Sequence, residues 1–434
     1  MGHLNHLKDE YRELLTRLDG GQVTLPIPSD PEARAAFEEL LQIYFSPEEA
    51  RIASRMPTIP GSISDVARAL GMDDDEALRK LEPLCDKGLV LDIHDATSSK
   101  TYYLLAPPVV GFFEFSLMRA HDMYPKAQLA ERLNRYLHHD RTFADEVFGN
   151  DTVPGRALVN EALIGEEELP EVLDWQRATQ LVKSASHVTV AACFCRHLAE
   201  HANRACDAPS EVCLSLGDAA EFLARRGFGR AITNEEGLEI LHKSRAGGLV
   251  QIADNVRKNP AFICNCCSCC CEQLRAINTY DLDAINPSGF LPLVDKSRCH
   301  GCGRCARACP VGAITLTPRR EVAKSRAALE PTLDAERCIG CGLCGVACKR
   351  DAIHMHASDE KPEVPVNAME RVVRMAIERG RLGPLFFGAG NTQTPRFLNR
   401  VLQALCQLPL SQRLAANSQL RSRFVKQLMA RTKG

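Results

Sequence analysis

The sequence has no apolar run near the roughly 18 residues that a membrane-spanning helix needs. Its closest approach, Leu104 to Phe115, is short and interrupted by Pro107 and Pro108. An excess of one charge is also missing. The formal net charge is −2, so the chain as a whole is not a polyelectrolyte. No secretory leader is apparent, because Met1-Gly2-His3-Leu4 leads into a charged helical pattern. A myristoylation motif would want Ser or Thr at position 6, and His6 stands there. There is no Walker loop, no glycine-rich dinucleotide turn after a strand and no nucleophile with an identifiable base. Gly388-Ala389-Gly390-Asn391 is too short for a nucleotide loop. These absences predict a cytoplasmic protein without an obvious catalytic constellation.

Twenty cysteines are what the sequence does have. Apolar residues make up an ordinary 45%, and 434 residues predict two to four domains with ample core. In a reducing compartment so many thiols point to metal more than to disulfides. Eight lie in one stretch and ten in a central region. Cys85 and Cys406 stand alone and read as small buried hydrophobes.

The stretch of eight runs from Val294 to Met355. Cys299, Cys302, Cys305 and Cys309 follow a C-x2-C-x2-C-x3-C pattern, and Cys338, Cys341, Cys344 and Cys348 repeat it 39 residues later. A [4Fe–4S] cube takes four thiolates, and this spacing wraps three of its corners with one tight loop. Gly301, Gly303, Gly340 and Gly342 lie in the gaps, where the backbone must turn sharply. In runs of this kind the fourth thiolate ligates the other cluster. Cluster one is therefore assigned Cys299, Cys302, Cys305 and Cys348, and cluster two Cys338, Cys341, Cys344 and Cys309. Short apolar strands flank both loops: Val294 and Leu333 end the leading ones, Ile314 and Ile353 begin the trailing ones. Zinc would normally be held by two paired CxxC knuckles instead.

Residues 290–358 resemble a bacterial-type two-cluster ferredoxin, with all eight ligand positions matched. The resemblance implies a duplicated βαβ cluster domain and electron transfer. Two departures stand out. Lys349 replaces the proline usual after the last cysteine, and Thr317 to Thr332 is an extra stretch with four basic and two acidic residues.

The chain reads as α+β and multidomain. Residues 1–46 carry two amphipathic helices around the proline-rich link Pro26 to Pro31. Residues 47–106 read as a winged helix, with helices at Pro47 to Arg55, Ser64 to Leu70 and Asp73 to Leu84, then a hairpin with its tip at Asp95 to Lys100. Asp73 to Lys87 holds six acidic and three basic residues, the wrong sign for a helix approaching phosphates. A protein-contact or structural role is expected there, and nucleic acid is not an expected partner. Residues 107–285 are expected to be mostly helical, with a buried strand at His187 to Ala192 and a helical stretch from Asp218 to Val250.

That central region holds Cys193-Phe194-Cys195-Arg196-His197, Cys206, Cys213 and the run Cys264, Cys266, Cys267, Cys269, Cys270, Cys271. Cys264-x2-Cys267-x2-Cys270 repeats the spacing that wraps three corners of a cube. Cys266-x2-Cys269 offers a second pairing, and Cys193, Cys195, Cys206 or Cys213 could complete a site. At least one further iron–sulfur cluster is the leading expectation, with a vicinal-dithiol centre, a zinc site or structural thiols as alternatives. His197 and His201 are not counted as ligands. Ala205-Cys206-Asp207-Ala208-Pro209 and the two cysteine runs also resemble a family of ferredoxin-like dicluster-domain proteins of anaerobic bacteria, which implies electron transfer but supplies no substrate.

Residues 364–434 read as a helical arm. After Glu378 it has ten Lys or Arg and no acidic residue. Such an arm suits docking to an acidic partner protein or to the inner face of a membrane, or else a pair of helices with solvated basic faces. The sequence thus predicts an electron carrier or redox-complex subunit whose partner proteins dock near the ferredoxin-like domain. Two alternatives stay open: an oxidoreductase acting on a thiol, disulfide or small substrate at the central cysteines, and a redox-sensing winged-helix regulator.

Overall fold

A computed structural model of the chain describes residues 8–18, 25–95, 99–119, 124–165, 174–318, 329–381 and 409. The hairpin tip, most of the extra stretch after Thr317, Cys406 and nearly all of the expected basic arm lie outside those residues. The chain divides into two units, one of residues 1–152, 225–228 and 366–434, the other of residues 153–224 and 229–365.

In the first unit α1 (Asp9–Leu18) is followed by α2 (Pro31–Tyr44) and α3 (Pro47–Ala53), which begin where the sequence supplies caps. Asp30 accepts from the Ala33 N–H, and Ser46 with Glu49 forms a reciprocal capping box. Next come β1 (Gly61–Ser62), α4 (Ile63–Leu70), α5 (Asp74–Asp86), β2 (Val90–Asp95) and β3 (Lys100–Leu105). The three strands form a sheet in the order β1-β3-β2 in the stretch read as a winged helix. Gly71 ends α4 at a φ of 73°.

After β3 the apolar run turns at Pro107 and Pro108 and enters α6 (Phe113–Met118), followed by α7 (Lys126–His138) and α8 (Thr142–Phe148). Phe112 and Phe113 are buried against Tyr44, so these aromatics are core. Cys85 is fully buried as expected. The last described helix, Ala368–Glu378, is held by Thr152, whose Oγ1 and N–H both donate to Glu378.

The second unit corrects an expectation, since its central part is not mostly helical. It is built on seven strands: β4 (Gly155–Ala157), β5 (Val188–Ala192), β6 (Glu211–Leu216), β7 (Arg230–Ile232), β8 (Val250–Asp254), β9 (Phe262–Cys266) and β10 (Ile285–Asn286). Their order is β10-β4-β8-β9-β6-β5-β7. Only β10 against β4 is parallel. The helices α9 (Ala178–Lys183), α10 (Phe194–His201), α11 (Gly217–Arg225), α12 (Asn234–Ala246) and α13 (Glu272–Tyr280) connect or flank the strands. Val182, Val190, Leu214, Leu241 and Ile263 share one core. Three strands have only two or three residues, too few to show a period of two, and β8 is buried along its whole length. The expected helical stretch from Asp218 to Val250 is likewise split by β7.

The same unit continues into β11 (Phe290–Val294), α14 (Arg304–Ala308), β12 (Ile314–Pro318), β13 (Leu329–Leu333), α15 (Leu343–Val346) and β14 (Ile353–Ala357). Among the described residues no helix is long and apolar enough to cross a membrane.

Candidate metal centres

The two halves of the duplicated stretch are interleaved. β11, which leads into the first cysteine run, pairs antiparallel with β14, which follows the second, with Val294 opposite Ile353. β12, which follows the first run, pairs with β13, which leads into the second, with Ile314 opposite Leu333. This exchange carries the last cysteine of each run to the loop of the other. Cys299, Cys302, Cys305 and Cys348 line one pocket. Cys309, Cys338, Cys341 and Cys344 line another. Between them Cys305, Ile314, Cys344 and Ile353 form a small core whose members are related by the same 39-residue offset. Even the hydrogen bonds repeat: the Ala313 N–H donates to the Cys309 sulfur at 3.2 Å, and the Ala352 N–H to the Cys348 sulfur at 3.4 Å.

Gly340 shows why glycine stands in these loops. Its φ is 70°, and a Cβ there would lie 2.2 Å from the Ser288 hydroxyl oxygen and 2.4 Å from the Phe290 carbonyl oxygen. The surroundings of the two pockets differ. His300, Arg304, Lys349 and Arg350 line the first, whereas among the described residues no charged side chain lines the second. Burial pushes the Cys341 thiol up to about 12 and the Cys344 thiol higher. Buried thiols of this kind ionise against a cationic core, which an iron–sulfur cluster provides.

The family model described as 4Fe-4S dicluster domain matches residues 298–352. The chain contains a ferredoxin-type iron–sulfur domain. It is also similar to an uncharacterized ferredoxin of Methanocaldococcus jannaschii, 40% identical over 60 residues. Those residues are 14% of this chain and 36% of that protein, so the chain spans about a third of the relative it matches. No solved structure matches the chain.

Upstream of the ferredoxin-type domain the ten central thiols sort into two groups, and not along the sequence spacing. Cys264 and Cys266 share one face of β9 because side chains alternate along a strand. Leu214 pairs with Ile263, so the adjacent position sets Cys213 of β6 beside Cys264. Cys193 and Cys195 come from the start of α10, and Cys271 is the N-cap of α13. Neighbouring thiols run Cys193, Cys195, Cys271, Cys266, Cys264, Cys213 in an unbroken line.

Cys267, Cys269 and Cys270 lie beyond the end of β9 and turn the other way. They meet Cys206 from the loop after α10, all four sulfurs within 4.8 Å of one another. The expected triplet of Cys264, Cys267 and Cys270 is therefore divided. Cys264 faces the line of six and the other two face the quartet, because the strand ends at Cys266 and the pleat with it.

The electrostatics of the line of six follow first from the thiols on one another and then from two helix N-termini. The Cys271 thiol is held well below its ordinary range by hydrogen bonds from Cys195 and Cys266, aided by the N–H groups of Leu274 and Gln273. Cys193 is lowered in the same way, first by Cys195 and then by the charge and N–H of Arg196. Arg196 was not singled out by sequence reasoning. It is 3% exposed. Burial opposes its charge, but the neighbouring Cys193 and Cys267 sulfurs outweigh burial and hold it above its ordinary value. Its place inside Cys193-Phe194-Cys195-Arg196 was the available signal. His197 and His201 stack on each other, with ring centroids 5.1 Å apart.

One helix joins the line of six to the ferredoxin-type domain. α13 starts at Cys271 and advances about 13 Å over its nine residues. Near its far end Asn278 donates to the Pro310 carbonyl at 2.9 Å. Arg337 pairs with Asp281 at 2.6 Å and also donates to the Val311 carbonyl. Pro310 and Val311 line the pocket of Cys309, Cys338, Cys341 and Cys344.

Proposed function

We propose that the chain is an iron–sulfur electron-transfer protein, a carrier or the subunit of a redox complex. Single electrons pass through two [4Fe–4S] clusters, one on Cys299, Cys302, Cys305 and Cys348, the other on Cys309, Cys338, Cys341 and Cys344. They travel to or from a further redox centre held among Cys193, Cys195, Cys213, Cys264, Cys266 and Cys271. The observation that carries this reading is α13, which begins on the line of six and ends against the wall of the second pocket. The order is then first cluster, second cluster, six-thiol centre. The first cluster, with its cationic lining and exposed Cys302, is the side at which an acidic redox partner would dock.

When bound, the clusters supply one-electron chemistry. The protein's own part is to place eight thiolates, donate N–H groups to Cys309 and Cys348, and set the charge around each site. Iron and acid-labile sulfide counted on anaerobically purified full-length protein test the proposal. About eight of each come from the ferredoxin-type domain, and an iron–sulfur centre on the line of six raises both together to roughly twelve or more. Values that settle near eight remove that centre.

A second reading is favoured by Cys193 and Cys271 at the starts of two helices, whose thiols are shifted towards the thiolate form that thiol–disulfide exchange uses. In it the line of six is a dithiol centre acting on a thiol or disulfide substrate and fed by the ferredoxin-type domain. It predicts iron near eight together with two-electron reduction of the central cysteines.

A further inference from the structure

The quartet of Cys206, Cys267, Cys269 and Cys270 has a different shape from either ferredoxin-type site. Its four sulfurs crowd within 4.8 Å of one another, and those of Cys269 and Cys270 are 3.7 Å apart. No other His, Cys, Asp or Glu side chains among the described residues draw together as such a group. The ferredoxin-type thiols instead stand around the walls of pockets. A cubane interposes four irons and four sulfides between its thiolates and holds them apart. One tetrahedral zinc ion does not. With zinc–sulfur bonds of about 2.3 Å, the sulfurs of a tetrahedron lie about 3.8 Å apart. The quartet has that size, and it has four ligands, which leaves no open coordination position.

We propose that Cys206, Cys267, Cys269 and Cys270 bind a single zinc ion as a closed structural site, separate from every iron–sulfur centre of the chain. Binding releases the thiol protons and leaves a ZnS4 unit with a net charge of −2. Arg196 is placed to offset it: the guanidinium lies beside Cys267 and donates to the carbonyls of Pro209 and Asn265, both at 2.7 Å. The ion would tie the loop after α10 to the turn that follows β9. Those two segments lead directly into the elements that carry Cys213, Cys266 and Cys271 of the neighbouring line, so a metal without redox chemistry fixes part of the frame of a centre that has it. The proposal does not depend on what the line of six holds.

Elemental analysis of the full-length protein, with sulfide determined in parallel, gives the first test. One zinc per chain is expected in the wild type. Cys206→Ser and Cys269→Ser should each lower retention of that zinc against a competing chelator at least tenfold, with the roughly eight iron and eight sulfide of the ferredoxin-type domain retained. Because a variant can also fail by misfolding, X-ray absorption at the zinc edge of the wild type provides an independent reading. It should show four sulfur neighbours at about 2.3 Å and no second metal nearby. Iron at this site in place of zinc, with or without sulfide, overturns the proposal. So does a wild-type protein without stoichiometric zinc, or zinc with oxygen or nitrogen in its coordination sphere.

Discussion

Arg196 donates through Nη2 to the main-chain carbonyl of Asn265 at 2.7 Å. This one bond joins the helix that carries Cys195 to the strand that carries Cys264 and Cys266. Asn265 points away from those thiols and donates to the Val212 carbonyl at 2.8 Å. A third element, β6, is thereby fastened to the same point. The buried cation and the buried amide together hold three cysteine-bearing elements, β6, β9 and α10, in register.

Replacing Arg196 by Met should therefore destabilise the second unit by about 3 kcal/mol, since it strands the buried Asn265 carbonyl, frees that of Pro209 and removes charge compensation for nearby thiolates. Arg196→Lys should recover part of this, because an ammonium can reach one carbonyl but not span both. Calorimetric unfolding of the metal-loaded proteins, read with their metal content, checks the order wild type, Lys, Met. Equal stability of the three would mean that the guanidinium is a bystander.

The pseudo-symmetry of the ferredoxin-type domain separates two kinds of glycine. Gly340 combines a φ of 70° with a Cβ position blocked by Ser288 and Phe290. Gly312 also has a positive φ, 69°, but nothing within 4 Å of its Cβ position. The residue 39 positions on from Gly312 is Asp351, already at a φ of 50°. Gly312→Asn should cost about 1 kcal/mol or less. Gly340→Ala should cost several times more and release iron from the cluster of the Cys338 loop. Iron retention during a urea titration distinguishes the two.

How much of this could be read beforehand depends on the kind of signal. The ferredoxin-type domain was legible because its signal is local: two C-x2-C-x2-C-x3-C runs announce it wherever the fold places them. The helix start at Asp73 was legible because caps are local. The seven-stranded sheet was not, because β4, β7 and β10 are too short to show a period and their pairing is decided by distant residues. The central cysteines were misgrouped for a related reason. Counting from Cys264 to Cys270 treats the run as one loop, but β9 imposes its pleat through Cys266 and lets go at Cys267. The division into six and four thiols is written in where a strand ends, which depends on its partners β6 and β8.

The linings of the two ferredoxin-type pockets should give the clusters different potentials. Positive charge favours the reduced, more negative cluster, so the site of Cys299, with Arg304, Lys349 and Arg350 around it, should have the higher potential. Lys349→Gln should lower it by roughly 40 mV, the equivalent of about 1 kcal/mol of Coulomb energy for a one-electron couple. The site of Cys338 should move much less. Redox titration followed by electron paramagnetic resonance would resolve the two signals. A shift shared equally by both clusters would count against the assigned ligand sets.

The first unit carries a pH dependence that can be worked out from Asp92. Asp92 is 3% exposed and meets Arg225 and Arg226, each at 2.6 Å. Burial alone would raise its carboxyl, but hydrogen bonds and charge from Arg226 and Arg225 outweigh burial and hold it below the ordinary value. A carboxyl depressed in the folded state stabilises the fold above its unfolded pKa and loses that contribution as pH falls through the folded value. Stability of the wild type should therefore be steady from pH 7 to about pH 5 as far as this group is concerned, then decline towards pH 3. Asp92→Asn should cost about 3 kcal/mol at pH 7, because it leaves two guanidinium groups without their buried counter-charge. The variant lacks the titrating group, so the gap between the two proteins should narrow below pH 4. Denaturation midpoints measured for both across this range would decide it. A gap that stayed constant down to pH 3 would show that the Asp92 carboxylate contributes through packing and not through its charge.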